Sequence, residues 1–290
     1  MKKIIFYLLI LCTSLFAVQE YEVFIRQYQN SDGKLFVTLR KWRDEEATKY
    51  LLADAQTLQT TVSTLQSQQL FPLNARFEKT PFAHILHHKG VLSEAIAPVS
   101  KSIFLTMDMC PSQKKGYESE FIERLTQQNG KTPIAIAITS KWIENHEDVF
   151  KEIAQNPQLN ITWMNHSHTH FYDKSLKDHE NFMLHVNTDV KKEVLELEKT
   201  LIQRGVTPSI FFRFPGLIFD EKLLKEIKET YFLIPIGSHA WVAKNEKIQN
   251  GSIILIHGNK NEPQGIEMLE EKLPSLVKKY TFKPLAEAFQ

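Results

Sequence analysis

Three imidazoles fall within five residues in Asn165-His166-Ser167-His168-Thr169-His170, directly after the apolar run Ile161-Thr162-Trp163-Met164. Imidazole nitrogen is the commonest protein ligand for zinc-like ions, and a catalytic zinc usually takes two or three His or carboxylate ligands plus a water. Spacing selects the pair. In helical or turn geometry, side chains four apart have Cβ atoms about 5–6 Å from each other, which suits His166 and His170. On an extended strand the same two would lie roughly 13 Å apart, too far for one ion. The chain is therefore expected to curl at His166, where the strand through Met164 stops.

Three further groups end predicted strands: Asp108 after Ile103–Met107, Arg213-Phe214-Pro215-Gly216 after Ser209–Phe212, and His257-Gly258 after Ser252–Ile256. Parallel strands place their C-terminal ends on one rim, so Asp108, His166, His170, Arg213 and His257 can converge. Each also has a structural reading: a cap for Asp108, an ion-pair partner for Arg213, a loop histidine for His257. Beside a carboxylate, Arg213 could hold it ionised and oriented through a bidentate pair.

The elements that must position these groups begin near Ser100. Ile103–Met107 is a continuous apolar run, as in a strand buried on both faces. Helices are expected at Glu118–Gln128, Lys141–Ala154, Asp189–Gln203, Asp220–Thr230 and Ile266–Lys279, and further strands at Pro133–Ile138, Ile161–Met164 and Tyr231–Ile236. This alternation implies an α/β fold with a parallel sheet or barrel and helices outside. Before it, Tyr21–Arg26 and Leu35–Leu39 flank the turn chemistry of Asn30-Ser31-Asp32-Gly33 and predict a hairpin. Tyr50–Ser67 has no clean period and stays unassigned. Residues 18–100 thus form a small β-containing N-terminal extension to a domain at 101–290.

With 290 residues, 42% hydrophobic, 24% charged and a net charge of +1, the chain has the composition of an ordinary globular protein, and nothing electrostatic suggests nucleic acid. Residues 1–17 differ. Lys2-Lys3, the apolar Ile4–Leu11 and a small residue at Ala17 read as a cleaved export signal, which implies a periplasmic or extracellular location and no stable membrane span afterwards. Its removal takes Cys12 and leaves Cys110 alone, so no disulfide can form within the mature chain, and an exported lone thiol must be buried or protected.

The order Thr106-Met107-Asp108-Met109-Cys110-Pro111, Asn165-His166-Ser167-His168-Thr169-His170, Arg213-Phe214-Pro215-Gly216 and Leu255-Ile256-His257 resembles the polysaccharide deacetylases with a NodB-homology domain, a family of metal-dependent carbohydrate esterases. The resemblance covers about residues 101–290. It implies a distorted (β/α) barrel, Zn2+ or another divalent metal, and an N-acetylated glycan as substrate. It makes His166 and His170 metal ligands, Asp108 the base, Arg213 the residue that orients it, and His257 the general acid. Pro215 and Trp241 become candidate substrate contacts.

The departures bear on the metal. Where the family has a second, metal-binding aspartate, this chain has Met109, and a thioether is a poor zinc ligand. Three readings follow: Asp108 is itself the carboxylate ligand, His168 or Cys110 supplies the third ligand, or the site is impaired and the protein only binds glycan. In Ile236-Gly237-Ser238-His239-Ala240-Trp241, where the family has acidic residues and a tryptophan, only Trp241 matches. The expected activity is removal of N-acetyl or O-acetyl groups from a glycan, the alternatives being a glycan-binding protein without turnover or a hydrolase of a non-carbohydrate amide.

Overall fold

The computed structural model describes residues 18–112 and 116–290, so the expected export signal lies outside the described residues. Four strands come first: β1 (Gln19–Gln29), β2 (Leu35–Arg43), β3 (Thr48–Asp54) and β4 (Thr60–Ser63), paired antiparallel in sequence order. The β1–β2 hairpin turns where Asn30 Oδ1 accepts the backbone N–H of Asp32 and Lys34 and Gly33 takes φ 79°. Much of the unassigned Tyr50–Ser67 is strand. Tyr50 through Asp54 is buried without a break, and a strand covered on both faces loses its period-2 signature. A short helix, α1 (Pro81–Leu86), follows, with Thr80 accepting the Ala83 N–H as its cap.

The alternating part then runs β5 (Ser102–Met109), α2 (Ser119–Asn129), β6 (Thr132–Ile138), α3 (Ser140–Asn145), α4 (Glu147–Ala154) and β7 (Leu159–Asn165). It continues through α5 (Val190–Gln203), β8 (Phe211–Phe212), α6 (Glu221–Glu229), β9 (Ile234–Pro235) and β10 (Ala240–Trp241). The series ends with β11 (Ile253–His257), α7 (Pro263–Lys279) and β12 (Thr281–Phe282). All its pairings are parallel, in the order β10-β11-β5-β6-β7-β8-β9, with β12 beside the start of β5. In a flat sheet β5 and β8 would lie roughly 14 Å apart at about 4.8 Å per strand. Yet Arg213, just after β8, reaches Asp108 on β5 at 2.7 Å, so the sheet is curled into an open barrel.

Two expected elements come out differently. The single helix over Lys141–Ala154 breaks at His146 (φ −138°, ψ 43°) into α3 and α4, because the His146 ring packs on Trp142 and its Nε2 meets the Ser112 carbonyl at 3.1 Å. The strand over Tyr231–Ile236 shrinks to Ile234–Pro235. Phe232 has φ 53°, which interrupts extended backbone, and proline has no N–H for the ladder.

The sheet's outward side packs on helices: Met107, Met109, Ile136 and Ile256 share a core with Phe121, Leu125, Leu197 and Leu269. Its inward side, with Phe104, Ala135, Ala137 and Met164, shares a second core with Val37, Leu39 and Phe82 of the N-terminal segment. The extension and the barrel are also joined by a buried ion pair. Arg40 donates from Nε to Glu198 Oε2 at 2.6 Å and from Nη2 to Oε1 at 2.9 Å, its Nη1 donates to the Leu39 and Tyr231 carbonyls, and the Tyr21 hydroxyl donates to Glu198. Among the described residues, no helix is long and apolar enough to cross a membrane.

Removing one partner of such a pair leaves an uncompensated buried charge. Arg40→Ala is expected to lower the unfolding free energy by about 3–5 kcal/mol in a denaturant titration, and the double change Arg40→Met, Glu198→Leu by much less. Equal losses for the two would show that apolar packing, not the ion pair, joins the segments.

Candidate active site

Strand alternation sets the first wall. Along β5, Met107 and Met109 point into the helix-side core, while Thr106 and Asp108 point into the barrel. Met109, the residue in doubt from the sequence, is fully buried among apolar side chains and the sulfurs of Met107 and Met109 crowd Gly258. Cys110, one residue on, turns back toward the histidines.

Arg213 is fully buried and uses its donors on four sides. Its Nη1 donates to Asp108 Oδ1 at 2.7 Å and to Thr106 Oγ1 at 2.7 Å, its Nη2 to the Gly237 carbonyl at 2.8 Å, and its Nε to the Ile236 carbonyl at 3.4 Å. The contact with Asp108 is therefore single rather than bidentate, because the other donors satisfy carbonyls beyond β9. Burial works against ionisation of Asp108, but Arg213, with His166 and His257 behind it, holds its carboxyl below the usual range. It stands as a carboxylate.

The histidine segment curls where the spacing required. Asn165 Oδ1 accepts the Ser167 N–H while its Nδ2 donates to the Val194 carbonyl, and Ser167 takes φ 74°. Ser167 Oγ then accepts the His170 N–H, His170 takes φ 50°, and the His166 and His170 rings come to 4.9 Å between centroids. Glu193, buried in the first turn of α5, receives both the N–H and the hydroxyl of Thr169, at 2.8 and 2.6 Å. His166 Nδ1 faces the Arg213 carbonyl at 2.9 Å. A carbonyl only accepts, so Nδ1 carries a proton and Nε2 is the nitrogen turned to the site; burial works against a charge on this ring, but Asp108 and Cys110 raise its pKa, and Nε2 offers a lone pair only in the neutral ring.

Nε2 lies 3.5 Å from Cys110 Sγ and 3.9 Å from Asp108 Oδ2. Cys110, His166 and His170 each offer a ligand atom, all within 4.8 Å of one another, and His170 Nε2 is buried without a hydrogen-bond partner. Burial raises the Cys110 thiol, but His170, His166 and His257 together bring it well below its ordinary value. The half-buried thiol is thus poised as a thiolate against two imidazoles, a donor set suited to zinc. His168 lies outside this group; its carbonyl accepts the Lys141 N–H.

On β11, His257 pairs in register with Asp108. Its Nδ1 meets Glu262 Oε2 at 2.8 Å, and the same oxygen accepts Trp241 Nε1–H at 3.0 Å. Burial would lower its pKa, but Cys110 and Glu262 outweigh it and push it up to about 10. The Trp241 ring lies 5.8 Å from His257 and carries the Lys244 ammonium on one face at 3.7 Å. Pro215 is buried at the start of a single turn, followed by Gly216 at φ 64° against the Phe182 ring.

The structure thus gathers Asp108, His166, His170, Arg213 and His257 on one rim and adds groups the sequence reading did not place there: Glu262, Glu193 and Asn259, whose Nδ2 donates to the Cys110 carbonyl. Glu262 follows His257 by five residues, a weak signal; Glu193 and Asn259 have none.

A curled parallel barrel with histidines, a thiol and an arginine-held carboxylate on its C-terminal rim has the layout of a barrel hydrolase. Residues 96–235 match the family described as Polysaccharide deacetylase, whose members are hydrolases of carbon–nitrogen bonds other than peptide bonds. The matched span holds Asp108, Cys110, His166, His170 and Arg213 and ends before Trp241, His257 and Glu262. The fold is shared with a solved family 4 carbohydrate esterase from Bacillus anthracis, at 22% identity and a TM-score of 0.52 over 71% of this chain and 90% of that one. It is also shared with the Bc1960 peptidoglycan N-acetylglucosamine deacetylase, at 17% identity and a TM-score of 0.51 over 69% of this chain and 92% of that one. The wild-type BA3943 pseudoenzyme from Bacillus anthracis aligns over 94% of this chain and 90% of its own, at 15% identity and a TM-score of 0.49.

The glycine of Arg213-Phe214-Pro215-Gly216 gives a test of this packing. A Cβ on Gly216, at φ 64° and ψ 4°, would lie 2.6 Å from the Phe182 ring. Gly216→Ala should therefore lose clearly more than the left-handed backbone cost of about 1–2 kcal/mol in the same denaturant titration. A loss no larger than that backbone cost would exclude the Phe182 contact as a constraint on the rim.

Proposed function

We propose that this chain is an exported, metal-dependent deacetylase that hydrolyses N-acetyl groups on a glycan. The observation that carries the reading is the convergence of Cys110, His166 and His170 beside an ionised Asp108 and a carboxylate-bound His257.

Cys110, His166 and His170 would hold the metal, with Asp108 adjacent rather than within the ligand set. A bound divalent ion such as zinc supplies Lewis acidity to the acetamide carbonyl and to water. Asp108, held ionised by Arg213, takes the proton from the attacking water. His257, whose Nδ1–H is fixed on Glu262, donates a proton from Nε2 to the departing amine, so that acetamide and water become acetate and amine. Trp241 steadies Glu262 through its indole N–H and lines the same side of the site. Glu262 thus takes the place of the acidic partner missing around Trp241, and Cys110 that of the carboxylate missing at Met109. Pro215 shapes the rim through its turn.

Metal content and acetate release test the assignment together. The purified wild-type chain is expected to hold about one zinc and to release acetate from N-acetylated glycans; Cys110→Ala, His166→Ala and His170→Ala should lose the metal. Asp108→Asn should keep it and lose roughly 10²–10⁴-fold in rate. Metal kept in Cys110→Ala and lost in Asp108→Asn would transfer the third ligand to Asp108. A wild-type chain that binds glycan but releases no acetate would be the binding protein that the altered motif allows.

Glu262→Gln keeps the size of the side chain but removes its charge. It should retain metal and KM while kcat falls about tenfold or more, and an unchanged kcat would leave His257 without need of its carboxylate.

A further inference from the structure

One buried carboxylate beside the site has no part in the proposed chemistry. Glu193, 6% exposed, lies in the first turn of α5, where the helix end favours negative charge. Among the described residues its side chain makes no ion pair. Both oxygens are spent on Thr169, Oε2 accepting the backbone N–H at 2.8 Å and Oε1 the hydroxyl at 2.6 Å. Burying a carboxylate is costly, and here its hydrogen bonds all go to one residue between two candidate metal ligands.

The backbone around Thr169 needs holding. Ser167 and His170 both take left-handed φ values, 74° and 50°, within four residues. Such strain persists only where the surroundings over-determine it. The restraint comes from consecutive residues of one helix. Asn165, immediately before His166, donates from Nδ2 to the Val194 carbonyl at 3.0 Å, and Thr169, immediately before His170, is gripped by Glu193. The start of α5 thus places both histidines. An extended chain would carry them roughly 13 Å apart, whereas here a ligand atom of each lies within 4.8 Å of the other and of Cys110.

We propose that Glu193 is a positioning residue for the metal: by binding both donors of Thr169 it holds the turn from His166 to His170 in its strained curl and thereby sets the affinity of the site. The role rests on the metal-dependent reading of the site. Two acceptors facing two donors on one residue fix its backbone and its side chain together. Partners of this kind, one step removed from the ion, orient the groups that bind it. The role is the same whether Cys110 or Asp108 is the third ligand, since Glu193 acts on the two histidines.

Zinc affinity is measured by chelator competition on metal-stripped wild type and variants, and each is also unfolded in denaturant without metal. Glu193→Met fills the same space without an acceptor and should weaken zinc roughly 10–100-fold. Glu193→Gln, which still offers an oxygen to the Thr169 N–H and an N–H to its hydroxyl, should restore most of that loss. Thr169→Val, which loses the hydroxyl alone, should weaken zinc by a smaller factor, and Thr169→Ser, with both donors, should match wild type. Glu193→Met combined with Thr169→Val should weaken zinc no further than Glu193→Met alone, since both break one contact. If Glu193→Met does not fold, the two Thr169 variants decide. Wild-type zinc affinity in Glu193→Met and Thr169→Val, even with lowered stability, overturns the positioning role and leaves the metal reading standing. A wild type that takes up no zinc overturns both.

Discussion

The rim depends on one buried guanidinium. Arg213 has no exposed surface, and a buried charge is tolerable only when its donors are satisfied and a counter-charge is near. Here the satisfaction comes from four places at once: Asp108 and Thr106 on β5, and the carbonyls of Ile236 and Gly237 beyond β9. Its own carbonyl fixes the His166 tautomer. One residue therefore links strands that a flat sheet would keep far apart, holds the carboxylate ionised, and orients the His166 ring.

The second feature is what stands beside the altered motif positions. A motif with Met109 and without acidic residues around Trp241 looks impaired when read position by position. In three dimensions the thioether is turned into the core, a thiol one residue later meets the histidines, and a carboxylate from the start of α7 bridges Trp241 and His257. What chemistry requires is a donor atom at a place. Its sequence position is secondary.

α5 carries two buried carboxylates with different tasks. Glu193 in its first turn grips Thr169 in the histidine segment, and Glu198, further along the helix, closes on Arg40 of the N-terminal sheet. The extension thus shares a helix with the loop that presents His166 and His170, as well as a core with the inward face of the barrel. Its packing is part of what holds the rim in place.

Read alone, the sequence determined the alternating strands and helices, because apolar runs and periodicity are local, and it placed Asp108, His166, His170, Arg213 and His257 at strand ends. The curl between His166 and His170 also followed from spacing. The alternation of β5 further held a signal left unread: Thr106, Asp108 and Cys110 share one parity and Met107 and Met109 the other, so the strand itself turned Met109 away. The tertiary structure alone decided the partners far apart in sequence: Glu262 on His257, Glu193 on Thr169, Arg40 on Glu198, and the single contact by which Arg213 holds Asp108. No periodicity encodes these, because each depends on the curl of the sheet and the packing of helices against it, which only the folded chain specifies.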